Sequence, residues 1–139
     1  MIELKKSFLD HVAIAVPELD PAIKIYEDLG FHFSNEREEV ASESVVTAFA
    51  SIDTNAHLEL LSPLNGKGPI QNFLDKKGAG IHHLCFQVPD VLETTRELRE
   101  KGYQLIHEEP KLGAKNCLVN FIHPKSTGGV LIEISTPQK

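Results

Sequence analysis

Two histidines and two glutamates stand at matched places along the chain. His11 and His83 lie 72 residues apart, and Glu59 and Glu133 lie 74 apart. Each histidine opens an alternating run, His11-Val-Ala-Ile-Ala-Val-Pro17 and His83-Leu-Cys-Phe-Gln-Val-Pro89. In an extended strand, residues two apart share a face. His11 then shares its face with Ala13 and Ala15, and His83 shares its face with Cys85 and Gln87. Val12, Ile14 and Val16 point the other way, as do Leu84, Phe86 and Val88. The small alanines leave room for a ligand beside the imidazole. Glu59 sits between Leu58 and Leu60, and Glu133 between Ile132 and Ile134. A carboxylate in mid-strand is disfavoured, and it is costly if buried without a partner. Two imidazoles and two carboxylates form a mixed nitrogen and oxygen donor set. Such a set suits Co, Ni, Zn, Mn or Fe as the divalent ion, with further positions left to water or substrate. A lone strand histidine or glutamate more often serves packing or faces water. The recurrence of all four in register is what favours one divalent metal per chain, since no local motif such as HExxH is present.

The remaining candidates carry weaker signals. His57 shares the face of Glu59 and is an alternative ligand or a residue at the mouth of the site. His82 faces away from His83 and reads as structural. His32 and His107 follow helix-ending glycines. The turn His123-Pro-Lys-Ser-Thr-Gly-Gly129 offers Lys125, Ser126 and backbone N–H groups to a carbonyl or phosphate. An ordinary hairpin turn accounts for the same composition equally well.

The elements that must carry these residues also come in two copies. The offset of 72 runs without a gap from His11 to Phe31, and Gly30 falls over Gly102. Each copy reads as a strand ending at proline, a helix, and three further strands. Asp20-Pro21 reads as an N-cap followed by a first-turn proline, and Gly30 and Gly102 end the helices. The later strands are expected at Phe31–Asn35, Ser44–Ile52 and His57–Leu61, and at Tyr103–His107, Cys117–Ile122 and Val130–Ser135. The expected fold is α+β: residues 1–139 as a single domain of two tandem βαβββ modules, about 8–63 and 80–137. A linker over 64–79 joins them and includes a short helix at Ile70–Lys76. A lone module is too small to bury its own sheet well. Two curved, antiparallel-rich sheets can instead close around a shared metal-containing cleft.

Composition narrows the function classes. The chain has 139 residues, 41% of them apolar and 24% charged, which is globular composition. With 14 Lys and Arg against 20 Asp and Glu, the formal net charge is -6, which argues against a broad nucleic-acid footprint. No apolar run approaches the length of about 20 residues needed to span a membrane. Residues Met1 to Asp10 alternate charged and apolar side chains, with no apolar signal-peptide core, so the expected compartment is cytoplasmic. Cys85 and Cys117 are too few for a disulfide framework, although one bridge is formally open, and they read as small buried hydrophobes.

The repeated unit with its four ligands resembles the vicinal-oxygen-chelate superfamily, and within it the methylmalonyl-CoA epimerases. The resemblance rests on Leu9–Val16, Leu58–Leu64, Gly80–Leu84, Glu109–Ala114 and Asn120–Glu133, with Phe-Ile-His-Pro-Lys-Ser as its most specific stretch. It implies a divalent metal on His11, Glu59, His83 and Glu133. It also implies epimerisation of (2R)/(2S)-methylmalonyl-CoA, by proton abstraction and return at C2 through a metal-stabilised enolate. Glu133 would be the first base, with Glu59 as the second or as a ligand only. Lys125 and Ser126 would contact the acyl-CoA, and the family expectation is a homodimer. The chain departs from the family at three places. Some epimerases carry glutamine at the place of Glu59. Some carry a second-strand glutamate proposed as base, where a gapless alignment sets Thr47. Many have a glycine pair where this chain has Lys115-Asn116-Cys117. Rival readings are glyoxalase I, which can use the same ligand set, an enzyme acting on another acyl substrate, and a metal-free small-molecule-binding module.

Overall fold

The computed structural model describes residues 6–139. The first part of the N-terminal alternation, residues 1–5, lies outside the described residues. The elements are β1 (Phe8–Ala15), α1 (Leu19–Asp28), β2 (Glu38–Val40), β3 (Val45–Ser51), β4 (His57–Pro63), α2 (Pro69–Lys77), β5 (Gly80–Gln87), α3 (Val91–Glu100), β6 (Lys111–Leu112), β7 (Cys117–Ile122) and β8 (Ile132–Pro137). Short 3₁₀ turns fall at Ala41–Glu43, Ala114–Asn116 and Pro124–Ser126. The pattern is βαβββ twice, a mixed α+β architecture, with α2 between the copies. The chain divides into two compact units. One is His11–His82, and the other joins the described residues up to Asp10 to His83–Lys139.

In the His11–His82 unit the strand order is β2-β3-β4-β1. β3 is antiparallel to β2 and β4, whereas β1 runs parallel to β4. α1 covers one face of this sheet: Leu19 and Ala22 pack with Val16, Ala48 and Leu60, ringed by Ile14, Ile23, Tyr26, Phe33 and Val46. The other unit repeats the plan with order β5-β8-β7-β6. β5 runs parallel to β8, and β7 is antiparallel to β8 and β6. Val91 and Leu98 of α3 pack there with Val88, Ile122 and Ile134. Each large apolar side chain buried this way contributes about 1.5–3 kcal/mol.

The third expected element of each copy lies elsewhere. Phe31–Asn35 makes one isolated bridge, Phe33 to Ala50, and Tyr103–His107 makes one, Leu105 to Ile122. The strands are the charged pieces Glu38–Val40 and Lys111–Leu112. Phe33 and Leu105 are apolar because they pack on the helix-side cores. The true strands are short, polar sheet edges, a form that discourages pairing with other chains. α1 also begins earlier than expected. Its N-cap is Glu18, which lets Leu19 bury, and Pro21 is tolerated in the first turn, where N–H groups have no intrahelical acceptor. Asp20 pairs instead with Arg37. α3 has a side-chain cap, Asp90, which accepts from the N–H groups of Leu92 and Glu93. Gly30 and Gly102 follow the two helices at φ 104° and 93°. Lys115 and Asn116 take left-handed φ values of 55° and 54°, a conformation that glycine adopts without a side-chain penalty. Among the described residues no helix is long and apolar enough to cross a membrane.

Candidate metal centre

Strand alternation puts the four residues where their spacing suggests. Ile14, Val16 and Leu60 belong to the core under α1, so His11 and Glu59 lie on the opposite sheet face. Ile132, Ile134 and Val88 belong to the core under α3, which sets His83 and Glu133 opposite in their own unit. Parallel pairing then brings each imidazole to a carboxylate. Glu59 lies directly beside Ala13, two residues beyond His11, and Glu133 lies directly beside Cys85, two residues beyond His83. His11 Nε2 reaches Glu59 Oε1 at 3.2 Å, and His83 Nε2 reaches Glu133 Oε1 at 2.9 Å. All four residues are buried, with between 4% and 8% of their surface exposed. A carboxylate at that depth costs several kcal/mol unless a partner or a cation faces it. In each unit, therefore, one ring nitrogen and one carboxylate oxygen lie within contact distance of each other. That donor set fits a divalent transition-metal ion.

Ala13 and Ala15, on the sheet face of His11, have no exposed surface. In the other unit Cys85 is equally buried, and its Sγ donates to Ser135 Oγ at 3.4 Å. Gln87 donates to Asp10 Oδ1 at 3.2 Å. His57 is half-buried and packs across Phe49. His82 packs against Phe73 of α2 with ring centroids 4.9 Å apart, a structural contact. Thr47 is buried on the same sheet face as Glu59, and its hydroxyl donates to the Glu38 carbonyl at 3.4 Å. A threonine hydroxyl so placed is no general base at neutral pH.

The turn after β7 is tightly self-bonded. The Lys125 N–H donates to His123 Nδ1 at 3.0 Å, and the Ser126 N–H to the His123 carbonyl at 2.9 Å. The N–H groups of Thr127 and Gly129 both go to the Pro124 carbonyl. The expected backbone cradle is thus spent internally. What it presents outward is the exposed Lys125 side chain, while Ser126 Oγ accepts from the Gln104 N–H at 2.9 Å.

Two residues beside the pairs, and one on the helix side of the sheet, carried no chemical signal in the sequence. Phe49 packs against His11 and Phe121 against His83. They stand at the same offset of 72 as the histidines, which is the signal that finds them. Asn120, fully buried, ties the chain before β6 to β7 through its side-chain amide.

A family model described as the Glyoxalase/Bleomycin resistance protein/Dioxygenase superfamily matches residues 10–121, and the chain belongs to that superfamily. The ethylmalonyl-CoA/methylmalonyl-CoA epimerase of Cereibacter sphaeroides is 40% identical over 129 residues, covering 91% of this chain and 95% of the relative. The crystal structure of methylmalonyl-CoA epimerase from Mycobacterium tuberculosis superposes with a TM-score of 0.88 at 40% identity, covering 94% of this chain and 88% of that one. A variant of the Streptomyces coelicolor methylmalonyl-CoA epimerase in complex with 2-nitronate-propionyl-CoA superposes with a TM-score of 0.89 at 30% identity, covering 94% and 97%. Within the superfamily, these relatives put the chain in the methylmalonyl-CoA epimerase family.

Proposed function

We propose that the protein epimerises methylmalonyl-CoA at C2, with His11, Glu59, His83 and Glu133 as the ligands of one divalent cation. The observation that carries this reading is the duplicated, buried His–Glu contact, 3.2 Å in one unit and 2.9 Å in the other. The epimerase relatives, one of them solved with an acyl-CoA analogue, support the substrate class.

The bound cation supplies Lewis acidity that offsets the negative charge left when a thioester loses its α-proton. The rest falls to the chain. Glu133 takes the C2 proton on an oxygen not held by His83, and Glu59 delivers a proton to the opposite face of C2. Between turnovers Glu133 gives up its proton to solvent and Glu59 regains one from it, which resets the pair and is the route by which deuterium reaches C2. His83 and His11, as ligands through Nε2, would fix the cation beside the two carboxylates. The Lys125 ammonium pairs with a phosphate of the CoA, and Ser126 adds a hydroxyl donor beside it. The protein works as a homodimer in the cytoplasm. The C2 substituent extends from methyl to ethyl, as the name of the Cereibacter sphaeroides relative suggests.

The test follows the C2 proton of methylmalonyl-CoA by NMR in D₂O, with chelator-stripped protein and after adding Co, Ni, Zn, Mn or Fe ions. Metal-dependent exchange with interconversion of the epimers is expected. Glu133→Gln should slow it by about 10²- to 10⁴-fold, the usual worth of a general base. Absence of exchange with every ion, on protein shown to bind one, discards this substrate and makes the methylglyoxal–glutathione adduct the next to try.

A further inference from the structure

We propose that Phe49 and Phe121 are matched positioning residues whose rings fix the two metal-binding imidazoles; this rests on the metal reading above. Each phenylalanine lies on the strand antiparallel to the glutamate strand and is the direct cross-strand neighbour of that glutamate, Phe49 of Glu59 and Phe121 of Glu133. Each ring meets the histidine of its own unit almost at right angles. The centroids are 6.2 Å apart at 82° for His11 and Phe49, and 5.5 Å apart at 88° for His83 and Phe121. These are edge-to-face geometries of the kind aromatic pairs prefer. Each ring also meets a second imidazole, His57 at 6.5 Å and 90°, and His107 at 5.9 Å and 80°. In both units, then, a phenyl ring touches one ligand imidazole and one that is not a ligand.

The ring matters because an imidazole turns easily about its outer torsion, which has only a broad two-fold preference. A perpendicular ring packed against it blocks that rotation and keeps Nε2 aimed at the carboxylate. The same ring covers the cross-strand glutamate with an apolar surface, and low local polarity strengthens the attraction between carboxylate and cation. Partners of this outer layer commonly change metal affinity by about 10- to 100-fold when removed. The two settings differ, since His57 lies on β4 and His107 lies in the loop before β6. The feature common to both is a planar ring held against a ligand histidine and its glutamate. Filling space alone would need no ring.

The experiment compares wild type with Phe49→Leu, Phe121→Leu, Phe49→Tyr and Phe121→Tyr. Co²⁺ affinity is read by chelator competition, site geometry by the visible absorption of the Co²⁺ form, and packing by the melting temperature of the metal-free protein. The leucine variants should bind Co²⁺ about tenfold more weakly and with altered absorption bands. The tyrosine variants keep the ring and should return both readouts to within about twofold of wild type. Leucine variants that melt lower yet bind Co²⁺ with unchanged affinity and spectrum overturn the inference and leave Phe49 and Phe121 as packing. Should a leucine variant fail to fold, methionine at the same position takes its place, and methionine binding as tightly as tyrosine overturns the inference equally. A wild type that takes up no Co²⁺ sinks the metal reading and this inference with it; a wild type that binds beside unaltered variants sinks this inference alone.

Discussion

Replacing Asn120 with alanine should destabilise the protein by about 3 kcal/mol, judged from its hydrogen bonds at about 1 kcal/mol each. Asn120 has no exposed surface. Its Oδ1 accepts from the His107 N–H at 3.0 Å and from the Phe121 N–H at 2.8 Å, and its Nδ2 donates to the His107 carbonyl at 3.1 Å. A further contact to Thr95 Oγ1, at 3.4 Å, is at the long limit and is counted as nothing. The side-chain amide thereby imitates one rung of a β-ladder, pairing with both backbone groups of His107 where no strand exists. Three bonds lost give the figure, and the small cavity left by the shorter side chain adds to it. At roughly 4 °C per kcal/mol for a domain of this size, melting should fall by about 12 °C. Thermal unfolding followed by circular dichroism reads this directly. Asn120→Leu separates the causes, since leucine restores the volume and none of the bonds. A leucine variant that melts with wild type would refute the hydrogen-bond reasoning and leave only the cavity.

Lys115 and Asn116 occupy left-handed backbone at φ 55° and 54°. Lys115→Gly should therefore raise stability, by about 0.5–1 kcal/mol, once the greater freedom of unfolded glycine is set against a left-handed penalty of about 1–2 kcal/mol; a lowered urea midpoint would contradict this. The exposed Asp53 carboxylate accepts from the N–H groups of Ala56 and Asn55 at 2.7 and 2.8 Å, and these bonds, that from Ala56 first, hold its pKa below the ordinary 3.8. Because the folded value is the lower one, its stabilisation is complete above about pH 5 and disappears as pH falls through the folded pKa. The stability gap between wild type and Asp53→Asn should then shrink below about pH 4, and a gap constant down to about pH 2 would disprove the linkage.

The four candidate ligands were legible in the sequence because two independent regularities coincide on them. Repeat register paired His11 with His83 and Glu59 with Glu133, and strand alternation set each against an apolar helix-side face. Where one regularity stood alone, the reading slipped. Phe33 and Leu105 are apolar because they pack beneath helices, so apolarity alone does not mark a strand. The real edge strands, Glu38–Val40 and Lys111–Leu112, carry charge because they are edges. Asp20-Pro21 had the chemistry of a helix start, yet burial of Leu19 moved that start back to a cap with no side-chain bond. The backbone cradle expected around Lys125 failed because local composition does not reveal that His123 Nδ1 and two carbonyls already accept those N–H groups. Asn120 was illegible for a related reason: its worth depends on His107 lying alongside, a contact no local pattern announces.

In each unit the histidine and the glutamate sit on strands that are parallel neighbours, β1 with β4 and β5 with β8. Parallel neighbours cannot be joined by a tight turn, so the chain must travel out through a helix and two further strands before it returns. Neither His–Glu contact can form from a short local segment, and closing so long a loop carries an entropic cost that only the finished sheet offsets. Each His–Glu contact therefore reports that the sheet of its own unit is complete, and that of His83 with Glu133 reports that the last strand is in place.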